Sequence, residues 1–185
     1  MERRETSSAL NIDPLRIGVM GESEGGGHAA AIALHVRDHG GPAICMLLLD
    51  APMLDDRTGT TSDPHPYTGH FVWTPESNRF GWRALLGMEP GTLDVPDQAV
   101  PARAKDFSGL PPCFISVGAL DLFLDENLEW IRQLSREGVP VELHVFPGAY
   151  HGFAVATSAP QVIPTCNDHN PLAHLRWPMV IMRQG

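Results

Sequence analysis

The sequence predicts an α/β fold, a short parallel sheet flanked by helices, and three observations predict it. Short apolar runs rich in β-branched residues alternate with longer helical stretches, which is the pattern of βαβ units. The first run leads into the first helix through Gly21-Glu22-Ser23-Glu24-Gly25-Gly26, a glycine-flanked turn that lifts a serine between strand and helix. Asp121 and His151, residue types that can serve such a serine, each follow the end of a later run. In open α/β sheets, chemistry gathers beyond the carboxyl ends of the strands.

Ile17-Gly18-Val19-Met20 gives the first strand, 17–20. The helix after it spans 24–38, with Ala29, Ala30, Ile32, Ala33, Leu34 and Val36 turned inward until Gly40-Gly41-Pro42 stops it. A second strand covers 43–49. Residues 51–110 form a long insertion rich in Pro, Gly and aromatic residues, with a helix near 76–86, and a segment of that length is usually functional. Phe114-Ile115-Ser116-Val117 lies in a strand at 113–117 that ends at Gly118. A helix over 124–137 places Leu124, Leu128, Ile131 and Leu134 on one face and ends at Gly138. The run Val141-Glu142-Leu143-His144-Val145-Phe146 alternates as a strand. Residues 1–153 thus read as one domain unit and 154–185 as an irregular tail, because Pro160, Pro164, Pro171 and Pro178 oppose a long helix there.

Composition excludes several classes. At 43% hydrophobic and 19% charged residues the chain reads as soluble, and no apolar run is long enough to span a membrane. The net charge of −9 argues against a nucleic-acid partner, which favours a basic face. Cys45, Cys113 and Cys166 are too few and scattered for a disulfide framework; with no signal peptide at Met1-Glu2-Arg3-Arg4-Glu5, reduced thiols in a cytoplasmic protein are expected. His65, His70, His169 and His174 lack metal-ligand spacing, so neither a metal nor a cofactor is expected.

The chemistry centres on Ser23. A serine held in a strained turn leaves little room two positions either side, and Gly21 and Gly25 supply it. In such a site the acid and then the histidine follow down the chain, the order of Asp121 and His151. His151 would take the proton from Ser23 while Asp121 fixes the imidazole tautomer. Other readings compete: Ser23 as an ordinary helix cap, Asp125 as the acid, His144 or His28 as the base. Glu22 and Glu24 flank the serine but point apart, and Glu24 suits a helix amino terminus. Asp55-Asp56-Arg57 reads as a turn with a local ion pair.

These motifs resemble the hormone-sensitive-lipase family of α/β-hydrolase esterases. The resemblance runs from Asp13-Pro14-Leu15-Arg16-Ile17 through the serine turn and Pro52-Met53-Leu54-Asp55-Asp56-Arg57. It continues through Leu110-Pro111-Pro112, Gly118-Ala119-Leu120-Asp121-Leu122-Phe123-Leu124-Asp125-Glu126 and Gly138-Val139-Pro140-Val141 to Tyr150-His151-Gly152-Phe153. It implies the carboxyl-terminal half of an α/β-hydrolase fold, with Ser23 as nucleophile, Asp121 as acid and His151 as base. The implied activity is hydrolysis of a small-molecule carboxylic ester through an acyl-serine. The wording Gly-Glu-Ser-Glu-Gly departs from the family's commoner Gly-Asp-Ser-Ala-Gly. The family's His-Gly-Gly-Gly loop has no counterpart in the sequence, so the resemblance leaves the Glu24 N–H as oxyanion donor and implies weak activity. It makes 51–110 the acyl-pocket wall, with Trp73, Phe80, Trp82, Leu85, Leu122 and Phe153 as lining. The family's strand order leaves 17–20 as a sheet edge open to self-association or to cover by residues 1–12. Two alternatives stand beside it: a catalytically inactive binding module, and a peptidase of the prolyl-oligopeptidase type.

Overall fold

A computed structural model describes residues 13–60 and 64–155. Four strands, β1 (Ile17–Glu22), β2 (Ile44–Asp50), β3 (Cys113–Gly118) and β4 (Val141–Phe146), form one sheet in the order β1-β2-β3-β4. Every neighbouring pair is parallel. That geometry follows from the connections, since each strand returns through a crossover long enough to re-enter from the same end. The crossovers carry α1 (Glu24–His39), α2 (Pro75–Leu86) and α3 (Leu124–Arg136). Glu22 is in register with Asp50, and Asp50 with Ser116, so β1 and β2 end level while β3 runs two residues further to Gly118, and their following loops leave from one edge of the sheet.

One core cluster joins Ala29, Ala30 and Ala33 of α1 and Trp130 and Leu134 of α3 to Leu47, Leu49, Cys113 and Ile115 of the sheet. α1 closes on its neighbours through small residues. A Cβ added at Gly26 would lie 2.7 Å from Pro52 Cβ, and one at Gly27 2.2 Å from Met53 O. Two leucine-type expectations fail for the same reason. Ile32 is 49% exposed and Leu128 39% exposed, because α1 buries its alanine stripe and α3 buries Glu126, Asn127, Trp130 and Leu134. Hydrophobicity alone misread which stripe faces in. β3 is buried along its whole length, as an inner strand of a parallel sheet must be, and burial pushes the Cys113 thiol up to about 12.

The 51–110 segment builds a second cluster from Met53, Trp82, Val95 and Val100, which extends to Leu122 and Phe123. α2 starts where Thr74 Oγ1 accepts from Ser77 N–H, with Pro75 in the first turn, and ends at Gly87 with φ 68°. The Asp55–Arg57 ion pair forms as a local turn at 2.7 Å. Asp56 does something the sequence does not announce: fully buried, it pairs with Arg103 at 2.7 Å and accepts from Gly91 N–H, tying the segment together.

β1 stands at the sheet edge among the described strands, with Met20 68% exposed. Cover by residues 1–12 and the form of most of the tail lie outside the described residues. The chain divides into a unit of residues 1–151 and one of 152–185, of which the described part is a short 3₁₀ turn, Phe153–Val155, with Phe153 buried. No helix among the described residues is long and apolar enough to cross a membrane.

Candidate active site

Ser23 occupies the junction of β1 and α1 with φ 53° and ψ −122°, a conformation that costs a non-glycine residue about 1–3 kcal/mol. Three backbone bonds hold it there. Its N–H donates to Asp50 O at 2.9 Å, and its carbonyl accepts from Gly27 N–H at 3.1 Å and Met53 N–H at 2.9 Å. The side chain makes no capping bond to the helix, so the reading of Ser23 as an ordinary N-cap is set aside. Gly21 is required, since a Cβ there would lie 2.1 Å from Gly25 O. Gly25 is not required in that sense: a Cβ on it meets nothing within 4 Å. The steric demand that the sequence reading placed on Gly25 falls one and two residues later, on Gly26 and Gly27.

Ser23 Oγ lies 2.9 Å from His151 Nε2, and His151 Nδ1 lies 2.9 Å from Asp121 Oδ2. A carboxylate only accepts, so Nδ1 carries the proton and Nε2 presents its lone pair to the hydroxyl. Asp121 is 1% exposed, and its other oxygen accepts from Phe123 N–H at 2.9 Å. Asp125, the rival acid, is exposed in the first turn of α3. His144 pairs with Glu142, and His28 is exposed on α1. The loops that carry Asp121 and His151 are themselves zipped together, by Leu120 N–H to Ala149 O at 2.8 Å and Ala119 N–H to Phe146 O at 2.9 Å. Gly118 permits this approach, since a Cβ there would stand 2.4 Å from Ala149 O.

Two further carboxyl groups are shifted from their ordinary behaviour, the half-buried Asp50 and the buried Glu126. Burial raises the Asp50 carboxyl above its ordinary value against the pull of the Ser116 hydroxyl, which donates to it at 2.6 Å. Burial raises Glu126 further; Glu126 accepts from Leu54 N–H at 2.6 Å and from the Thr58 hydroxyl. Beside it Asn127 donates to Pro52 O at 2.9 Å. The helix that opens after Asp121 therefore grips the segment whose Met53 N–H holds Ser23. Sequence reasoning passed over Glu126 and Asn127. The available signal was Glu126 standing in line with Trp130 and Leu134, a charge on a stripe that is otherwise apolar.

The lining residues separate. Trp73 stands beside His151, its ring 6.0 Å from the imidazole, which Phe123 meets edge-on at 5.1 Å. Trp82 and Leu85 line a cavity of about 340 Å³ next to the serine turn, with Glu24, Gly27, His28 and Met53. Leu122 is buried in the second cluster. Phe80 is 71% exposed, two residues from Trp82 and so about 200° around α2 from the buried side. Glu24 is the first residue of α1, and its N–H belongs to the turn of amides that lack a partner within the helix. Among the described residues no cluster of three or more His, Cys, Asp or Glu is placed to hold a metal ion.

Comparison with known proteins gives a consistent result. A family model described as alpha/beta hydrolase fold matches residues 2–155. Esterase LipI and carboxylesterase NlhH, both of Mycobacterium tuberculosis, are each 33% identical to the chain, over 80% of its length and 46% and 47% of theirs. Among solved structures, a bacterial heroin esterase superposes with a TM-score of 0.77 at 34% identity, covering 89% of this chain and 52% of that one. Esterase LipW from Mycobacterium marinum gives 0.71 at 31% identity, covering 86% and 49%. The chain spans about half the length of the curated relatives it matches.

Proposed function

The chain belongs to the α/β-hydrolase fold family, and from that premise we propose that it carries the Ser-His-Asp machinery of a carboxylesterase. One observation carries the reading: a serine in strained backbone geometry, its hydroxyl 2.9 Å from an imidazole whose far nitrogen is 2.9 Å from a buried carboxylate. Ser23 Oγ attacks the ester carbonyl while His151 Nε2 takes its proton. The tetrahedral oxyanion collapses, the C–O bond to the alcohol breaks, and His151 returns the proton to the departing oxygen. Water then repeats the sequence on acyl-Ser23, releasing acid and free enzyme. Asp121 keeps the imidazole in the tautomer that can accept at Nε2 and stabilises the imidazolium. The Glu24 N–H, at the positive end of α1, serves as an oxyanion donor.

The names of the relatives support an ester as substrate. The Glu24 N–H is the one donor assigned, and removing an oxyanion donor of this kind costs a factor of about 10² to 10³ in turnover. Activated esters are therefore the substrates to try. Rapid mixing with p-nitrophenyl acetate tests the reading: a burst of one nitrophenolate per chain followed by a slower steady phase is expected, and no such burst in Ser23→Ala. A peptide amide of equal leaving-group size should be untouched, and its cleavage would favour a peptidase. A cytoplasmic setting fits the unbonded Cys45 and Cys113. The edge at β1 is the surface for pairing with a second copy, which a concentration-dependent elution volume would reveal.

A further inference from the structure

Three non-glycine residues among those described have positive φ: Ser23 at 53°, Ala51 at 40° and Val72 at 57°. The first is the nucleophile. The second follows β2, next to the segment that bonds Ser23, with its N–H on Ser116 O at 2.7 Å. Val72 has no part in that machinery, yet it is β-branched, the residue type least suited to the left-handed region. Trp73 N–H closes on Phe71 O at 2.6 Å, forming a three-residue turn around it. Strain of this kind persists where the surroundings impose it, and it gathers at sites.

The turn has a visible consequence, which is where it sends the two aromatic rings beside it. The Trp73 ring lies 6.0 Å from that of His151, and the Phe71 ring 5.8 Å from that of Tyr150, the residue before the base. Both placements are anchored. Gly69 N–H donates to Leu120 O at 3.2 Å, one residue before the acid, and Trp73 Nε1–H donates to Asn78 Oδ1 at 3.2 Å. The rings are nonetheless not sealed in a core, as Phe71 is 53% exposed. Which half of an ester they meet follows from proton transfer. His151 must hand its proton to the leaving oxygen, so the alcohol half is held on the imidazole side of Ser23, within hydrogen-bond reach of Nε2.

Resting on Ser23 and His151 as nucleophile and base, we propose that Phe71, Trp73 and Tyr150 form a preset aromatic wall for the alcohol half of the ester, suited to an aryl leaving group. Trp73 thereby moves from the acyl wall, where the family resemblance put it, to the leaving-group side. Aromatic rings gain from one another at centroid separations of the kind seen here, by an amount equal to about 2- to 12-fold in an equilibrium or rate constant.

The test uses the full chain and two acetates whose leaving alcohols are of comparable acidity, 3-chlorophenyl and hexafluoroisopropyl, so that ring and reactivity are separated. The ratio of their kcat/KM values is compared in wild type, Trp73→Leu and Phe71→Leu, the last at an exposed position where folding is not at stake. Protection of Ser23 from a fluorophosphonate probe by 3-chlorophenol against hexafluoroisopropanol gives the same comparison without turnover. The expected result is an aryl preference in wild type, read as the ratio of the two esters, that falls by about 2- to 12-fold in Trp73→Leu and by less in Phe71→Leu. A ratio that is the same in all three proteins overturns the wall and leaves the triad standing. Failure of every ester and of the probe to modify Ser23 overturns the triad reading, and the wall with it.

Discussion

Asp121→Asn isolates what Asp121 does, because the two sides of its carboxylate face two fixed donors. In the wild-type site Oδ2 accepts from His151 Nδ1–H and Oδ1 from Phe123 N–H, each at 2.9 Å. An amide keeps one acceptor and replaces the other with a donor. Phe123 N–H belongs to the backbone and cannot reverse, so the amide oxygen turns to it and the NH₂ faces Nδ1. Nδ1 then becomes the acceptor and the ring proton moves to Nε2, which points a donor at the Ser23 hydroxyl 2.9 Å away. The imidazole can no longer take that proton. The opposite amide orientation sets NH₂ against N–H in a site where the side chain is 1% exposed, at a cost of about 1–3 kcal/mol. A wrong tautomer of this sort lowers turnover by about 10⁴, equal to roughly 5.4 kcal/mol on the barrier. The number of hydrogen bonds is unchanged, so stability should fall by only about 1 kcal/mol, or roughly 2–4 °C in Tm. The assay is kcat/KM on p-nitrophenyl acetate with Tm measured on the same preparation. An Asn variant within tenfold of wild type, while Ser23→Ala is inactive, would refute the assignment of Asp121.

Three further outcomes follow from the same geometry. Ser23→Ala and His151→Ala should lose comparable activity, and their double variant no more than either, because triad members act as a unit. Gly27→Ala should destabilise by about 1–3 kcal/mol in denaturant titration, since its Cβ would sit 2.2 Å from Met53 O, whereas Gly25→Ala, with open space around it, should not. Glu126 has its carboxyl pKa raised by burial. The folded state therefore binds the proton more tightly, and stability should decline as pH rises from the ordinary carboxylate range towards the folded value. Glu126→Gln should flatten that decline, whereas Glu126→Ala should cost about 2–5 kcal/mol by stranding Leu54 N–H and the Thr58 hydroxyl.

The features legible in the sequence were local ones. A glycine-bracketed serine between an apolar run and an alanine-rich helix, and the order of serine, acid and histidine beyond strand ends, are short-range patterns that survive without tertiary knowledge. What stayed hidden depends on partners far away in the chain. Asp56 finds Arg103 across 47 residues, and Glu126 reaches Leu54 across 72. Hydrophobic periodicity ranked Ile32 and Leu128 above Asn127 as inward-facing, because it scores side chains one at a time and cannot see that Pro52 O needs a donor. The spacing rule for glycines around the serine turn singled out Gly21 correctly and Gly25 for a steric reason that belongs to Gly26 and Gly27, which face the neighbouring segment. Val72 gave no signal, since strain at a non-glycine residue is a property of the assembled loop.

The most direct test of the central claim is mass spectrometry of the chain after reaction with a fluorophosphonate probe. The account predicts one adduct per chain, mapped by proteolysis to the peptide containing Ser23, absent in Ser23→Ala and formed far more slowly in His151→Ala. An adduct that persists in Ser23→Ala, or that maps to another hydroxyl, contradicts it.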